Sequence, residues 1–290
     1  MAHIELLRVK YSDGEVAHFD SEDQFMEASV DLLNQTVALL WNIVELKYCD
    51  SDAKPIVIDK ENAVMAGNLV RLIKLNISLL QNICERKLEI CQIINRCIAE
   101  TVVNIKYLLV EREERVRRNY IKYSLITEKE LWETIISNVK QRNGDTLPIE
   151  ERMQDSIQKS FDDSDMDLDD VNRSSKWKSV KARADVVADE MFYSVYYGTA
   201  SHAIHGNWQD ILFNNLQKIE TGFKVKLDWE LPRPQIIDGP SILNLETIEL
   251  FVEKELKENS KSSILTDNCK VLLNYQAILT DYHEKWLSRK

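Results

Sequence analysis

Between Ser21 and Tyr48 the apolar side chains fall at Phe25, Leu32, Leu33, Val37, Leu40, Trp41, Val44 and Tyr48, a spacing that an α-helix turns to one side. The same spacing returns at Val64, Leu69, Leu72, Ile73, Leu79 and Leu80. In RKLEICQIINRCIAETVVNIKYLLVE the apolar residues cover much of the circumference, which predicts a buried central helix. With 7 Gly and 5 Pro in 290 residues there are few places to turn and little room for sheet. The expected fold class is all-α, a bundle of long antiparallel helices with extra C-terminal helices.

Capping signals divide the chain. Residues 1–20 read as an N-terminal extension, with a weak hairpin signal at Ser12-Asp13-Gly14. A first helical half spans 21–161: Ser21 and Gln24 form a capping box, Asp59 is an N-cap, residues 84–87 suggest a turn, Thr127 and Glu130 form a second box, and Asn143-Gly144-Asp145 turns into a helix from Pro148 to Phe161. Residues 162–172 contain DDSDMDLDD, six acids and no base, the composition of a solvated or disordered linker. A second helical half, 173–222, opens on Arg173, Lys176, Lys178, Lys181 and Arg183 and carries a long helix to His205, with Gly206 as its C-terminal cap. Asn207 is placed to cap a short helix in WQDILFNNLQKIE. Within 223–290, FKVKLDWELPRPQIIDGP reads as extended and proline-broken, and two helices follow near 241–259 and 264–287.

The formal charge of −11 speaks against a chain that coats nucleic acid by bulk electrostatics, although a local patch stays open. Five cysteines in apolar helical stretches, with no C-x-x-C pair, predict buried free thiols. No run of 18 uncharged apolar residues and no secretory leader pattern is visible, so a cytoplasmic protein that does not engage a membrane is expected.

Chemistry concentrates in two places. Arg96 and Glu100 are four apart and share one face of the central helix among Ile93, Ile94, Ile98 and Val102. Tyr197, Ser201 and His205 repeat at the same interval, and such a stripe drifts only about 40° over eight residues, so all three could face Arg96 and Glu100 across a groove. A polar stripe inside a bundle is either a packing network or a site. As a site, His205 suits a general acid or base, Arg96 a phosphoryl charge, Glu100 the orientation of either, and Tyr197 or Ser201 the positioning of substrate. His202, at another angle, is either a second polar contact or an exposed side chain, and Arg173, Lys176, Lys178, Lys181 and Arg183 either lead a phosphate backbone toward His205 or form a solvated helix face. No metal or other cofactor is implied, since a di-metal bundle site wants Glu-x-x-His and position 199 is Thr.

The R-x-x-x-E of Arg96 to Glu100 leading into Tyr107-Leu108, with Tyr197-x-x-x-Ser201-x-x-x-His205-Gly206 and Trp208, resembles a bacterial and archaeal domain family of unknown function. That family looks in broad shape like the HEPN superfamily of helical bundles, and the resemblance covers roughly residues 25 to 220. It implies an RNA-cleaving or RNA-binding effector of bacterial conflict, metal-independent, that dimerises around a polar cleft. The usual HEPN nuclease signature sets a His four to six residues after an Arg. No such pair surrounds His202 or His205, so the Arg would come from the other helix, as Arg96. The competing reading is a non-catalytic module whose stripe locks helix packing and whose partner is another protein or a second copy. A third is a nucleotide-sensing or nucleotide-modified protein that uses the same Arg and His on a small phosphate.

Overall fold

The computed structural model describes residues 7–171, 177–187, 198 and 203–289. It is mostly helical, with one two-stranded sheet among the described residues, as the hydrophobic spacing requires. The chain divides into two compact units, one built from 1–58, 65–110 and 180–290, the other from 59–64 and 111–179.

In the first unit α1 (Asp13–Val16), α2 (Glu22–Tyr48), α3 (Lys60–Cys84, from Met65 on) and α4 (Leu88–Val110) are joined by α8 (Val180–Val187), α9 (Gln235–Glu255) and α10 (Ser262–Leu287). α9 packs on α2, α4 and α10, and α8 packs on α4. Ile237, Leu245, Ile248 and Phe251 of α9 are buried, as are Leu32, Leu33 and Leu40 of α2 and Leu265 and Leu272 of α10. Polar links also join these helices. Asn244 of α9 donates to the Asn76 side chain on α3 at 2.7 Å, and Arg71 of α3 donates to Thr101 of α4 at 3.2 Å. α3 is long and apolar enough to meet a length-and-composition test for a membrane span, but half of that stretch is buried. Met65, Leu69, Leu72, Ile73 and Leu79 give it a core face. Most of α4 is buried, as its near-continuous apolar surface predicts.

The second unit contains the first turn of α3, then α5 (Glu114–Ser124), α6 (Ile126–Gln141) and α7 (Pro148–Asp163). Its core is Leu125, Ile135, Ile157, Phe161, Met166 and Val171.

The Ser21–Gln24 box forms, with Ser21 N donating to Gln24 Oε1 at 3.2 Å, and Asp59 Oδ1 accepts from Asn62 N at 2.8 Å. At Ser12-Asp13-Gly14 the chain makes α1 rather than a hairpin, because Ser12 and Glu15 cap each other. Thr127 lies inside α6, which starts from Leu125 and Ile126. The acidic stretch is ordered: α7 runs into it, residues 168–170 form a 3-10 turn, and Met166 and Val171 enter the core of the unit. Lysines far away in sequence hold it. Lys129 Nζ donates to the carbonyls of Leu168 and Val171, both at 2.8 Å, Lys122 Nζ to that of Asp170 at 3.0 Å, and Lys60 bonds Asp165.

The stretch expected as one short helix divides. Asn207 caps Trp208–Asp210, a π-turn covers Ile211–Asn215, and strands β1 (Leu216–Ile219) and β2 (Gly222–Val225) pair antiparallel. α9 begins at Gln235 and carries Pro240 inside it, earlier than the proline pattern predicts.

Candidate functional site

Arg96 sits two turns into α4 and is 8% exposed. A charge so covered needs a partner. Glu100, one turn on, provides it: Arg96 Nη1 donates to Glu100 Oε2 at 3.1 Å, and the Glu100 side chain stays half-exposed. The pair therefore has one member under cover and one at the edge of the helix.

The stripe continues one turn beyond Glu100. Asn104 lies four residues beyond Glu100, and its Oδ1 accepts from Arg183 Nη1 of α8. Arg183 is 3% exposed, so the basic run does not lie wholly on the surface: this member is turned inward onto α4. Lys181 faces out and pairs with Asp185 at 3.1 Å, and Lys178 is exposed. The surface part of the expected phosphate track is thus Lys178 and Lys181 among the described residues. The signal for Asn104 was present in the i, i+4, i+8 spacing from Arg96.

At the other end of α4, Asp210 and Lys226 lie close enough to act on the Glu89 carboxyl. Burial and then Asp210 push its pKa up, against a smaller pull from Lys226. The chain thus stands beside α4 at Asn104 through Arg183 and again at the start of the helix, where Leu88 N donates to Glu230 O at 3.1 Å. His205 is exposed and belongs to the helical turn just before Gly206, whose φ of +54° fits the left-handed cap that glycine takes without strain. Tyr197, Ser201, His202, Arg173 and Lys176 lie outside the described residues.

The family of unknown function DUF5677 matches residues 62–222, more than half of the chain. The chain belongs to DUF5677. Arg96, Glu100, Asn104, Arg183 and His205 all fall within the DUF5677 region, and β2 lies across its end. No curated protein and no solved structure matches the chain. Among the described residues no group of His, Cys, Asp and Glu has the arrangement of a metal site. A cavity of about 590 Å³ in the second unit is lined by Asp59, Lys60, Arg117, Arg118, Ile121 and Met166 among others, and none of the expected site residues lines it.

Proposed function

We propose that this DUF5677 protein is a HEPN-like effector of bacterial conflict that acts on RNA in the cytoplasm, as a metal-independent ribonuclease. The observation that carries the reading is the polar stripe Arg96, Glu100, Asn104 on the central helix, bonded at Asn104 by Arg183 of the basic run. In the reaction the ribose 2′-oxygen attacks the adjacent phosphorus and the 5′-oxygen leaves. His205 takes the proton of the 2′-hydroxyl or delivers one to the leaving oxygen. Arg96 holds the charge that builds on the phosphoryl oxygens, and Glu100 fixes the guanidinium. Tyr197 or Ser201 positions the substrate, His202 adds a polar contact, and Lys178 and Lys181, with Arg173 and Lys176, guide the backbone. Inducible expression in bacteria tests this: wild type should arrest growth and degrade cellular RNA, and His205→Ala should do neither while accumulating as folded protein. Equal behaviour of the two rejects the nuclease.

A second reading, a non-catalytic module that docks a protein, is favoured by two observations. Arg183 is spent on Asn104, and Lys181 is neutralised by Asp185. On that reading Arg96→Gln and His205→Ala would leave the cellular effect intact.

A further inference from the structure

The strongest alternation of apolar and charged residues in the chain is FKVKLDWEL, in which Phe223, Val225, Leu227, Trp229 and Leu231 alternate with Lys224, Lys226, Asp228 and Glu230. Such a period-two pattern normally marks a strand with one face covered. Here all five apolar side chains are exposed, Val225 at 75% and Leu227 at 89%. Trp208, itself exposed, packs edge-on against Phe223 at 5.6 Å between ring centres and extends the apolar face. A two-stranded ribbon is marginal in water by itself, and an exposed apolar surface of this continuity marks an interaction site.

The backbone shows which edge is open. Lys226 N donates to Asn215 O, and with the register Leu216 to Val225 this makes Gln217/Lys224 and Ile219/Gly222 the bonded pairs. The inner edge therefore uses the even-numbered residues, and Glu230 O, also even, accepts from Leu88 N. Phe223 and Val225 turn their N–H and C=O groups to the outer edge. That edge continues toward Leu227, with a bend at Asp228 that lets Lys226 pair with Glu230 in the single chain.

We propose that this outer edge pairs with the same edge of a second copy of the chain, antiparallel and centred on Leu227. The order of charges selects that occupant. Reversed upon itself, Lys-Lys-Asp-Glu sets Lys224 opposite Glu230 of the second copy and Lys226 opposite its Asp228, and the two-fold axis repeats both pairs. A parallel alignment would set like charges side by side. On the other face the same register aligns Phe223 with Leu231, Val225 with Trp229 and Leu227 with Leu227, cross-strand pairs that favour a sheet. Pairing straightens the bend at Asp228, exchanges the internal Lys226–Glu230 contact for intermolecular ones, and turns a ribbon into a four-stranded sheet. Apart from Trp208 and Gly222, the residues of this surface lie past the stretch that the DUF5677 model matches.

Sedimentation velocity of the full chain tests the proposal. At ~20 µM, a concentration at which a specific dimer should persist, wild type should show twice the 33.8 kDa chain mass. The double variants K224E/K226E and D228K/E230K should each sediment as single chains, with dimerisation weakened at least ~tenfold by four opposed like charges. An equimolar mixture of the two should return to the doubled mass, because every opposed pair becomes complementary. Leu227→Asp, at a position nearly free of contacts, should also give single chains with unchanged helical circular dichroism. A wild type that stays single, charge variants that stay double, or a mixture that stays single overturns the proposal.

Discussion

Arg96 keeps a charge under cover at small cost because Glu100 is one turn away and still wet. In Arg96→Ala the half-exposed Glu100 rehydrates, and removal of the packed side-chain stem should cost roughly 1–2 kcal/mol by urea unfolding. If the proposed nuclease reading holds, RNA cleavage should fall far more, by about a hundredfold or beyond, because the guanidinium would then serve the transition state. Asp238 on α9 is the opposite kind of acid. Burial pushes its pKa up to about 6, against hydrogen bonds from Thr280 and Gln276. A raised carboxyl favours the folded state when protonated. That contribution is complete below about pH 4 and is lost as pH rises through 6. Asp238→Asn should therefore be more stable than wild type at pH 7 by roughly 2–3 kcal/mol, with the gap closing between pH 6 and 4 in parallel urea titrations. The thiols give a third check. Cys91 and Cys269 are fully buried and pushed up to about 12 by that burial, whereas Cys84 is exposed. An aromatic disulfide reagent should label Cys84 first and reach Cys91 and Cys269 only on unfolding. Burial of Cys91 and Cys269 was legible from their apolar flanks, and the Arg96–Glu100 pair from its spacing. The exposure of Cys84, at the end of α3, was not. Nor was the inward turn of Arg183, since a run of like charges reads as a solvated face until the acceptor on another helix is seen.

At the scale of elements, α8 is fixed to α4 through Arg183 and Asn104. Asn104→Ala removes an acceptor from a buried guanidinium and should cost about 1–3 kcal/mol by urea unfolding. Asn76→Leu likewise leaves Asn244 with an unanswered amide in the core and should cost a similar roughly 1–3 kcal/mol. The long helices were legible because Ser21 and Asp59 announce their starts and the apolar faces persist for six turns or more. Short elements were not. Leu216–Ile219 continues a helix-like spacing from Trp208, and its strand state comes from pairing with Gly222–Val225, a choice that tertiary context makes. The acidic segment was misread as a linker for a similar reason. Its composition argues for solvation, but Lys60, Lys122 and Lys129 supply the order from outside the window, and Met166 and Val171 anchor it in a core.

For the whole molecule, a charge of −11 means that RNA, on the proposed reading, would be held by local contacts and not by a basic surface. Binding of single-stranded RNA by His205→Ala should accordingly show a slope of about −3 in log K against log salt, as expected for the roughly four or five phosphate contacts of Arg96 and the basic run at about 0.7 each. The all-α class was readable from Gly and Pro scarcity and apolar spacing alone, whereas the chemistry depends on which helices meet, which no local pattern encodes. The most direct measurement is the chemistry of the ends left on RNA. Purified protein incubated with a single-stranded oligonucleotide in excess EDTA should release fragments ending in a 2′,3′-cyclic phosphate and a 5′-hydroxyl, and Arg96→Ala and His205→Ala should not. Intact RNA under every condition, or fragments that appear only with added metal and carry 3′-hydroxyl ends, would contradict the account.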